Sequence, residues 1–453
     1  MNHRLGAHAV VIGGSIAGLL AARVLADRFE RVTLIERDHP PTDASPRKGV
    51  PQGRHAHGIW PRGLAVMERL LPGLGDELVA RGAQAGDVAR NFCWHQFGAL
   101  KLQIDTGQPG MTMTRPLLES TVRSRVAAWR GITLRHGASV ESLLAEGRPA
   151  RITGVRLREG LSPIQDLRAD LVVDASGRGT RTPAWLDALG YSAPPETALR
   201  IGVSYASRFH ERQPGDPMIG HVIGQTPPHG RRGGVALAVE GGRWLVTLIG
   251  FVGEQPPHDE AGMAAYARSL PHPTIHDIVT RGRPLSEVQP YRFASNLRRH
   301  YEKLERFPDG LLVIGDALCS FNPAYGQGMT VAAAEAEVLE RTLGAARGIE
   351  GLARPFFRAA ARFIDVPWQL TTGEDYRYAE VPGRRPLPLM AVNPFVARMH
   401  RVAAEDPVVC RTFFEVAGLQ KPPEALFAPA VAWRVLRGPR DNAAPIGMRV
   451  APR

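Results

Sequence analysis

Lysine and cysteine are both scarce in this chain. Of its 56 basic residues only four are lysines, and its 3 cysteines, Cys93, Cys319 and Cys410, lie far apart. So few and such widely separated cysteines exclude a disulfide framework and a cysteine-based zinc site. No apolar run approaches the roughly 18 residues of a membrane-spanning helix, and no leader-like segment precedes the first apolar run. We therefore expect a soluble, cytoplasmic protein without a membrane span.

Continuous basic segments are also absent, although the formal net charge is +12. The arginines are scattered along the 453 residues, and no stripe of positive charge is visible that could follow a nucleic-acid backbone. We therefore expect no nucleic-acid partner. With 44% hydrophobic residues, the chain is long enough and apolar enough to form two or three packed lobes.

A glycine-rich run, Gly13-Gly14-Ser15-Ile16-Ala17-Gly18, lies near the start of the chain. An apolar run precedes it, a helical run follows it, and a second apolar run ends in Glu36. This order predicts the strand, turn, helix and strand of a dinucleotide-binding unit. Gly13 permits the tight turn, and Gly18 lets the helix pack close to the strand. Glu36 is placed to accept hydrogen bonds from a ribose.

Ser15 is the one departure from the usual glycine pattern, because a glycine normally stands in the middle of this turn. A serine is small, and its hydroxyl can donate a hydrogen bond to a phosphate. The N-terminus of the following helix offers unpaired backbone N–H groups and the positive end of its dipole. The sequence therefore predicts a pyrophosphate site at this turn.

Four further stretches carry residues that could bind a ligand or take part in chemistry. A long basic loop contains Arg47-Lys48-Gly49-Val50-Pro51-Gln52 followed by Arg54-His55-Ala56-His57, and a loop of this length usually binds something. The run 174–179 follows a short apolar strand, and Gly315-Asp316-Ala317 follows another. The loop 322–328 then leads into an alanine-rich helix that begins at Met329.

Together and in this order, these motifs resemble the p-hydroxybenzoate-hydroxylase-like group of FAD proteins over nearly the whole chain. The resemblance implies that Asp316 binds the ribityl chain of FAD and that the loop before Met329 lies against the flavin ring. It also implies that Arg115 reaches the phosphate and ribityl region, and that the backbone of Val140 meets the adenine. The cofactor-binding residues expected on these grounds are Gly13, Gly14, Ser15, Gly18, Glu36, Arg37, Arg47, Lys48, Gln52, His55, Arg115, Val140, Asp174, Gly177, Asp316, Pro323, Gly326, Gln327, Gly328 and Met329.

The loop from Arg47 to His57 looks most similar to a narrower subgroup, which includes the FAD epoxidases of polyether-antibiotic biosynthesis. Aromatic hydroxylases of this group usually carry an Asp-Gly pair and an arginine where this chain has Ser176-Gly177 and Pro183. These departures put direct reduction by NAD(P)H in doubt, so a separate flavin reductase becomes a possible source of electrons. The chain also lacks a GWxWxIP-type string, which counts against a flavin-dependent halogenase.

The resemblance implies an FAD-dependent monooxygenase, an epoxidase or hydroxylase that acts with O₂ through a flavin C4a-hydroperoxide. The strands expected to form the pocket carry no evident charged anchor, which favours a bulky apolar substrate such as a natural-product intermediate. Candidate pocket residues are Tyr205, Leu237, Phe321 and Tyr325. Two alternatives stay open: a cyclase that uses FAD structurally, and an FAD-dependent reductase or dehydrogenase. No metal site is expected, because no Cys, Asp or Glu accompanies His55 and His57.

The expected fold class is α/β, with a Rossmann-type FAD-binding domain of the glutathione-reductase type, an antiparallel-sheet substrate domain and a helical C-terminal region. The FAD-binding domain is expected to comprise residues 1–87, 112–190 and 291–345. Residues 88–111 and 191–290 are assigned to the substrate domain, and residues 346–453 to the helical region.

Overall fold

The structure is a computed structural model that describes residues 3–41, 45–47, 49–383, 385 and 387–438. The strands are β1 (Gly6–Ile12), β2 (Phe29–Glu36), β3 (Gln84–Asp87), β4 (Phe92–Gln96), β5 (Ala99–Leu100), β6 (Pro109–Thr112), β7 (Ile132–His136), β8 (Ala138–Glu146), β9 (Arg151–Glu159), β10 (Gln165–Arg168), β11 (Leu171–Asp174), β12 (Glu196–Glu211), β13 (Gly220–Ile223), β14 (Arg232–Val239), β15 (Arg243–Gly250), β16 (Gln289–Arg299), β17 (Leu311–Val313) and β18 (Cys319–Ser320).

The helices are α1 (Ile16–Leu25), α2 (Pro61–Leu70), α3 (Leu74–Ala80), α4 (Arg115–Ala127), α5 (Thr182–Ala188), α6 (Glu260–Arg268), α7 (Thr274–Arg281), α8 (Gly328–Ala345), α9 (Ala353–Asp375), α10 (Leu387–Val402), α11 (Pro407–Ala417) and α12 (Pro429–Arg437). Among the residues that the structure describes, no helix combines the length and the apolar character needed to cross a membrane.

Five parallel strands form the first sheet, in the order β17-β11-β1-β2-β7. Its central strand is a continuous apolar run, with Ala9, Val10 and Val11 fully buried, as expected for a parallel sheet covered on both faces. The chain builds outward from β1 through β2 and β7, then returns to the other side of β1 to add β11 and β17. Ligands bind beyond the carboxyl ends of the strands at such a reversal of strand order.

An eight-stranded sheet forms the second layer, in the order β18-β16-β12-β15-β14-β13-β4-β5. Its pairs are antiparallel except for β13 and β4, which run parallel. β4 comes from a segment between α3 and α4, so it reaches the edge of this sheet by a crossover rather than by a hairpin. Two smaller sheets, β10-β9-β8 and β3-β6, complete the strand pairing.

The C-terminal region consists of α9 to α12. Met399, Phe413 and Phe414 are buried in a cluster against which Trp60 and Trp94 pack, so these helices cover one side of the space between the two large sheets. The predicted fold class, including the helical C-terminal region, is thus confirmed. One parallel pair interrupts the expected antiparallel sheet, and β16 crosses the predicted domain boundary between residues 290 and 291. The domain boundaries therefore stay a prediction.

Candidate functional site

A cavity of about 710 Å³ lies beyond the carboxyl ends of the parallel strands. The turns that follow β1, β2, β11 and β17 all contribute to it, because the strand order brings these four ends to one edge of the sheet. The cavity continues from this edge to β12 and β16 of the eight-stranded sheet. It is therefore elongated, with chemically different groups at its two ends.

The glycine turn after β1 forms one wall of the cavity. Gly13 adopts a φ of +101°, and a Cβ on Gly18 would stand 1.9 Å from the Gly13 carbonyl oxygen. The turn and α1 can therefore approach each other only because both positions are glycine. Ser15 precedes α1 without a side-chain cap hydrogen bond, so the first N–H groups of the helix stay free for a ligand. The Arg115 Nη2 lies 3.4 Å from the Ser15 hydroxyl, and its Nε lies 3.5 Å from the Glu119 carboxylate.

The end of β2 carries a buried ionic network. Glu36 accepts hydrogen bonds from the N–H groups of Gly14 (2.8 Å) and Asp38 (3.0 Å), and it pairs with Arg47 at 3.0 Å. Burial alone would raise the pKa of Glu36, but Arg47 and the two backbone N–H groups outweigh burial and lower it. Arg47 also contacts Glu119 at 2.6 Å. Three donors occupy three of the four acceptor positions of the Glu36 carboxylate, which leaves the fourth for a ribose hydroxyl.

Asp316 faces the middle of the cavity from the turn after β17. No described residue donates a hydrogen bond to its carboxylate. Desolvation by the surrounding protein raises the pKa of Asp316, and the nearby positive charges of Arg115 and Arg178 oppose that rise. Gly315 holds this turn with a φ of +66°, and its N–H donates to Glu335 of α8 at 2.5 Å. An unpartnered carboxylate held in the cavity suits the hydroxyl groups of a ribityl chain.

Aromatic residues line the far end of the cavity, where His55 lies between Tyr205 and Tyr291 with ring centroids 5.7 and 5.2 Å away. The His55 Nδ1 pairs with the Ser207 hydroxyl at 2.8 Å. Burial, helped by Arg54, lowers the pKa of His55 to about 4, so the ring is neutral at pH 7. This end of the cavity offers flat apolar surfaces to a planar ring system.

A second chamber of about 320 Å³ adjoins the aromatic end. Its walls are mainly aromatic and aliphatic side chains from the eight-stranded sheet and from the C-terminal helices, among them Trp60, Trp94, Leu237, Phe413 and Leu426. The residues that line both the cavity and the chamber are Ala56, His57, Gly58, Tyr205, Pro323 and Gly326. The two spaces therefore meet at the loop before α8 and at the end of the long basic loop.

Most of the residues predicted to bind a cofactor line the first cavity. They are Gly13, Gly14, Ser15, Glu36, Arg37, Arg47, Gln52, His55, Arg115, Val140, Gly177, Asp316, Pro323, Gly326, Gly328 and Met329. Of the predicted pocket residues, Phe321 lines the cavity, Leu237 and Tyr325 line the chamber, and Tyr205 lines both. The individual role of each residue in binding FAD stays a prediction.

Three predicted cofactor residues lie elsewhere. Asp174 is fully buried beneath the turn after β11, where it accepts hydrogen bonds from the Ser176 N–H and from two threonine hydroxyls, so it shapes the turn instead of reaching the cavity. Gln327 faces the chamber, and its Nε2 donates to the Ala417 carbonyl at 3.0 Å. Gly18 allows close packing and does not line the cavity. The prediction for Lys48 lies outside the described residues.

The sequence reasoning missed residues that the second sheet contributes. Tyr291 and Phe293 line the cavity from β16, and their alternation in the sequence was a usable signal for one face of a strand. Arg178 lines the cavity beside the Phe293 ring, at 5.3 Å from its centroid. His57 is not among the cofactor residues expected from the sequence, but it lines both the cavity and the chamber.

Replacing Asp316 with alanine is expected to weaken FAD binding by about tenfold to a hundredfold, because a charge-assisted hydrogen bond contributes about 1.5–3 kcal/mol. Asp174→Ala is expected to lower the free energy of unfolding while changing the affinity for FAD less, since it removes the acceptor of three donors in the turn. Fluorescence titration of each apoprotein with FAD, together with denaturant unfolding, separates the two effects. Equal losses of FAD affinity in both variants would show that the roles are wrongly assigned.

These features fit FAD: a glycine cradle at an uncapped helix N-terminus, an arginine guanidinium beside that turn, a carboxylate to which no described residue donates, and an aromatic end. The family model described as FAD binding domain matches residues 7–355 of the chain. Protein Rv3254 of Mycobacterium tuberculosis (strain ATCC 25618 / H37Rv) is 36% identical over 397 residues, which cover 84% of this chain and 82% of that protein.

Two solved structures share the fold. The flavin-dependent brominase Bmp2 has a TM-score of 0.63 at 15% identity, over 95% of this chain and 98% of its own. PqsL from Pseudomonas aeruginosa, a probable FAD-dependent monooxygenase, has a TM-score of 0.58 at 17% identity, over 82% of this chain and 97% of its own. Because the family model spans most of the chain and Rv3254 is related over most of both proteins, the chain belongs to the FAD binding domain family and is an FAD-dependent oxidoreductase.

Proposed function

We propose that the protein is an FAD-dependent monooxygenase that acts on a bulky apolar substrate. The observation that carries this proposal is the meeting of the two spaces: a mainly apolar chamber of about 320 Å³ adjoins the aromatic end of the cavity and shares six lining residues with it. A substrate in the chamber would therefore lie next to the end of the cavity proposed to hold the flavin. This size and apolar lining are typical of small-molecule sites.

The residues of the chain supply little of the chemistry in this function. FAD, when bound, supplies the redox and oxygen chemistry. The residues of the chamber must orient the substrate and exclude water. His57 stands at the junction as a neutral ring, because burial, helped by the charge of Arg115, lowers its pKa to about 3. A neutral boundary between the two spaces suits a substrate without charge.

The finer assignment belongs to the same proposal. It comprises epoxidation or hydroxylation, a natural-product substrate and kinship with the polyether-antibiotic epoxidases, and it is supported by the resemblance of the loop from Arg47 to His57. A cytoplasmic location is proposed with it, in keeping with three cysteines that are free and buried. Bmp2, which shares the fold, is a flavin-dependent brominase. Transfer of halogen is therefore an outcome that the test must separate from transfer of oxygen, as are non-redox cyclisation and simple dehydrogenation.

The electron supply is predicted to be indirect. Ser176 and Pro183 stand where related hydroxylases have residues that assist nicotinamide binding. We expect NADH or NADPH alone to reduce the holoprotein slowly and without saturation, and we expect a flavin reductase with free flavin to restore turnover. Anaerobic stopped-flow absorbance of the flavin measures this rate. Rapid and saturable reduction by NADPH alone would contradict the prediction.

Admission of oxygen at the end of the same series tests the function itself. A monooxygenase is expected to consume O₂ and form an oxygenated product only after reduction. Product that forms without oxygen and with FAD still oxidised would establish the cyclase instead. Product that forms anaerobically with loss of hydrogen from the substrate would establish a dehydrogenase, and product that requires added halide would establish a halogenase.

A further inference from the structure

A buried carboxylate lies beside the loop that separates the cavity from the chamber. Asp375, at the end of α9, is fully buried and accepts hydrogen bonds from Asn296 Nδ2 (2.7 Å), Asn322 Nδ2 (3.0 Å) and the Tyr325 hydroxyl (3.0 Å). The amide oxygens of both asparagines already accept backbone N–H groups, that of Asn296 from Asn322 and that of Asn322 from Ala324. The orientations of both asparagine amides are therefore fixed. Burial raises the pKa of Asp375 to about 6, so at neutral pH its carboxylate is mainly ionised and accepts from the Tyr325 hydroxyl as well.

The same reasoning determines the orientation of the Gln225 side-chain amide. A tyrosine hydroxyl has one proton, and Tyr325 donates it to Asp375, so the Tyr325 oxygen can only accept hydrogen bonds from other groups. Gln225 must then present its Nε2 to that oxygen, at 3.1 Å. This leaves the Gln225 Oε1 as an acceptor to which none of the described residues donates. Gln225 is only 5% exposed, and both it and Tyr325 line the chamber.

The remaining charged groups of the chamber wall are paired with each other. Arg377 donates its Nε to Glu374 at 3.0 Å and its Nη2 to the Asn393 carbonyl at 3.3 Å. The other Glu374 oxygen is buried and accepts no hydrogen bond from a described residue, so it is not offered to a ligand in the chamber. The Gln225 Oε1 remains as an unpaired acceptor, and the complementary group for it is a donor.

We propose that Gln225 and Tyr325, held in place by Asp375, select a substrate that is bulky and apolar but carries a hydroxyl or N–H donor. The inference rests on the proposed function, because it takes the chamber as the substrate site. A ligand with such a donor satisfies the Gln225 Oε1, whereas an isosteric hydrocarbon buries that oxygen unpaired. Sites built around a hydrogen bond discriminate strongly against analogues that lack it.

A matched pair of probes tests the proposal, namely 2-naphthol and 2-methylnaphthalene, which have nearly the same shape but differ in the donor. Dissociation constants for the oxidised holoprotein are measured by the quenching of tryptophan fluorescence, to which Trp60 and Trp94 in the chamber wall contribute. Comparing the ratio of the two constants between wild type and variant cancels the different hydration of the probes.

Gln225→Leu is expected to raise the ratio of the dissociation constant for 2-naphthol to that for 2-methylnaphthalene by about fivefold or more. The reason is that removing the acceptor leaves the buried hydroxyl of 2-naphthol unpaired. Tyr325→Phe is expected to shift it in the same direction, because the Gln225 amide then has no fixed acceptor for its Nε2. The control is Gln96→Leu, which changes a chamber residue outside the network and is expected to leave the ratio within about twofold. Bound FAD and the unfolding temperature report the folding of each variant.

A smaller shift in Gln225→Leu, an equal shift in Gln96→Leu, or no saturable binding of 2-naphthol to wild type would overturn the proposal. The experiment needs neither reduction nor oxygen. Its outcome is therefore independent of whether the holoprotein transfers oxygen, and the failure of one proposal is distinguishable from the failure of the other.

Discussion

Glu335→Gln is expected to gain about 4 kcal/mol in free energy of unfolding relative to wild type as the pH rises from about 5 to about 9. Glu335 is fully buried in α8, where one oxygen accepts the Gly315 N–H and the other has no hydrogen-bond partner. Burial raises its pKa to about 8 from an ordinary value of 4.5, and the neighbouring Asp316 charge adds to that rise.

The sign follows from the raised pKa. Between pH 4.5 and about pH 8 the folded chain holds a proton on Glu335 that the unfolded chain has lost. The stability of wild type therefore falls as the pH rises through this window and levels off above it. Glutamine keeps the acceptor for the Gly315 N–H and does not titrate, so the difference between the proteins grows across the same window.

Denaturant unfolding of both proteins at several pH values measures this difference. Glu337→Gln is the matched control on the same helix, because Glu337 forms a partly exposed ion pair with Arg62 at 2.7 Å. Loss of such a pair is expected to cost at most about 1 kcal/mol. A difference between Glu335→Gln and wild type that stays constant with pH would contradict the burial of an ionisable group at this position.

Arg47→Met is expected to lower the free energy of unfolding by about 3–5 kcal/mol near neutral pH, because it leaves buried carboxylates without their counter-charge. The Arg47 side chain is only 4% exposed and contacts Glu36, Asp38 and Glu119 at 3.0, 3.5 and 2.6 Å. The affinity for FAD should fall with stability, since Glu36 would then repel the neighbouring carboxylates and lose the fixed position from which we propose that it binds the adenosine ribose.

The pH dependence distinguishes this cause from a simple loss of packing. Arg47 helps to lower the pKa of Glu36, and a lowered carboxyl pKa contributes stability above the unfolded pKa that is lost as the pH falls through the folded pKa. The deficit of Arg47→Met should therefore shrink as the pH falls through and below 4.5, the ordinary value for Glu36. Arg62→Met, which removes a partly exposed ion pair, serves as the control. A deficit that does not change with pH would point to packing alone.

Local motifs account for the part of the site that could be predicted from the sequence. Gly13 directly follows β1, Glu36 is the last residue of β2, and Asp316 lies three residues beyond β17. The parallel sheet brings these strand ends to one edge. Asp174 is likewise the last residue of β11, but its carboxylate turns inward, where the hydroxyls of Thr180 and Thr182 donate to it. The end of the strand can be predicted from the sequence pattern, but the hydrogen bonds that the two threonines donate to Asp174 cannot.

The chamber could not be predicted in the same way, because its residues come from distant parts of the chain. Gln225 follows β13, Tyr325 precedes α8 and Asp375 ends α9, and only the packing of α9 near the loop before α8 joins them. Each is an ordinary polar residue in its local sequence. Predicting their juxtaposition requires the register of the eight-stranded sheet and the placement of the C-terminal helices, neither of which periodicity specifies.

The central claim is that oxygen is transferred to a small molecule held in the chamber next to FAD. A single-turnover experiment tests it most directly: chemically reduced holoprotein is mixed with isotopically labelled oxygen and a panel of bulky apolar alcohols and phenols, and the products are examined by mass spectrometry. The account predicts a product that carries one labelled oxygen atom. Hydrogen peroxide equal to the reduced flavin with no labelled product from any compound, or the same product in the absence of oxygen, would contradict it.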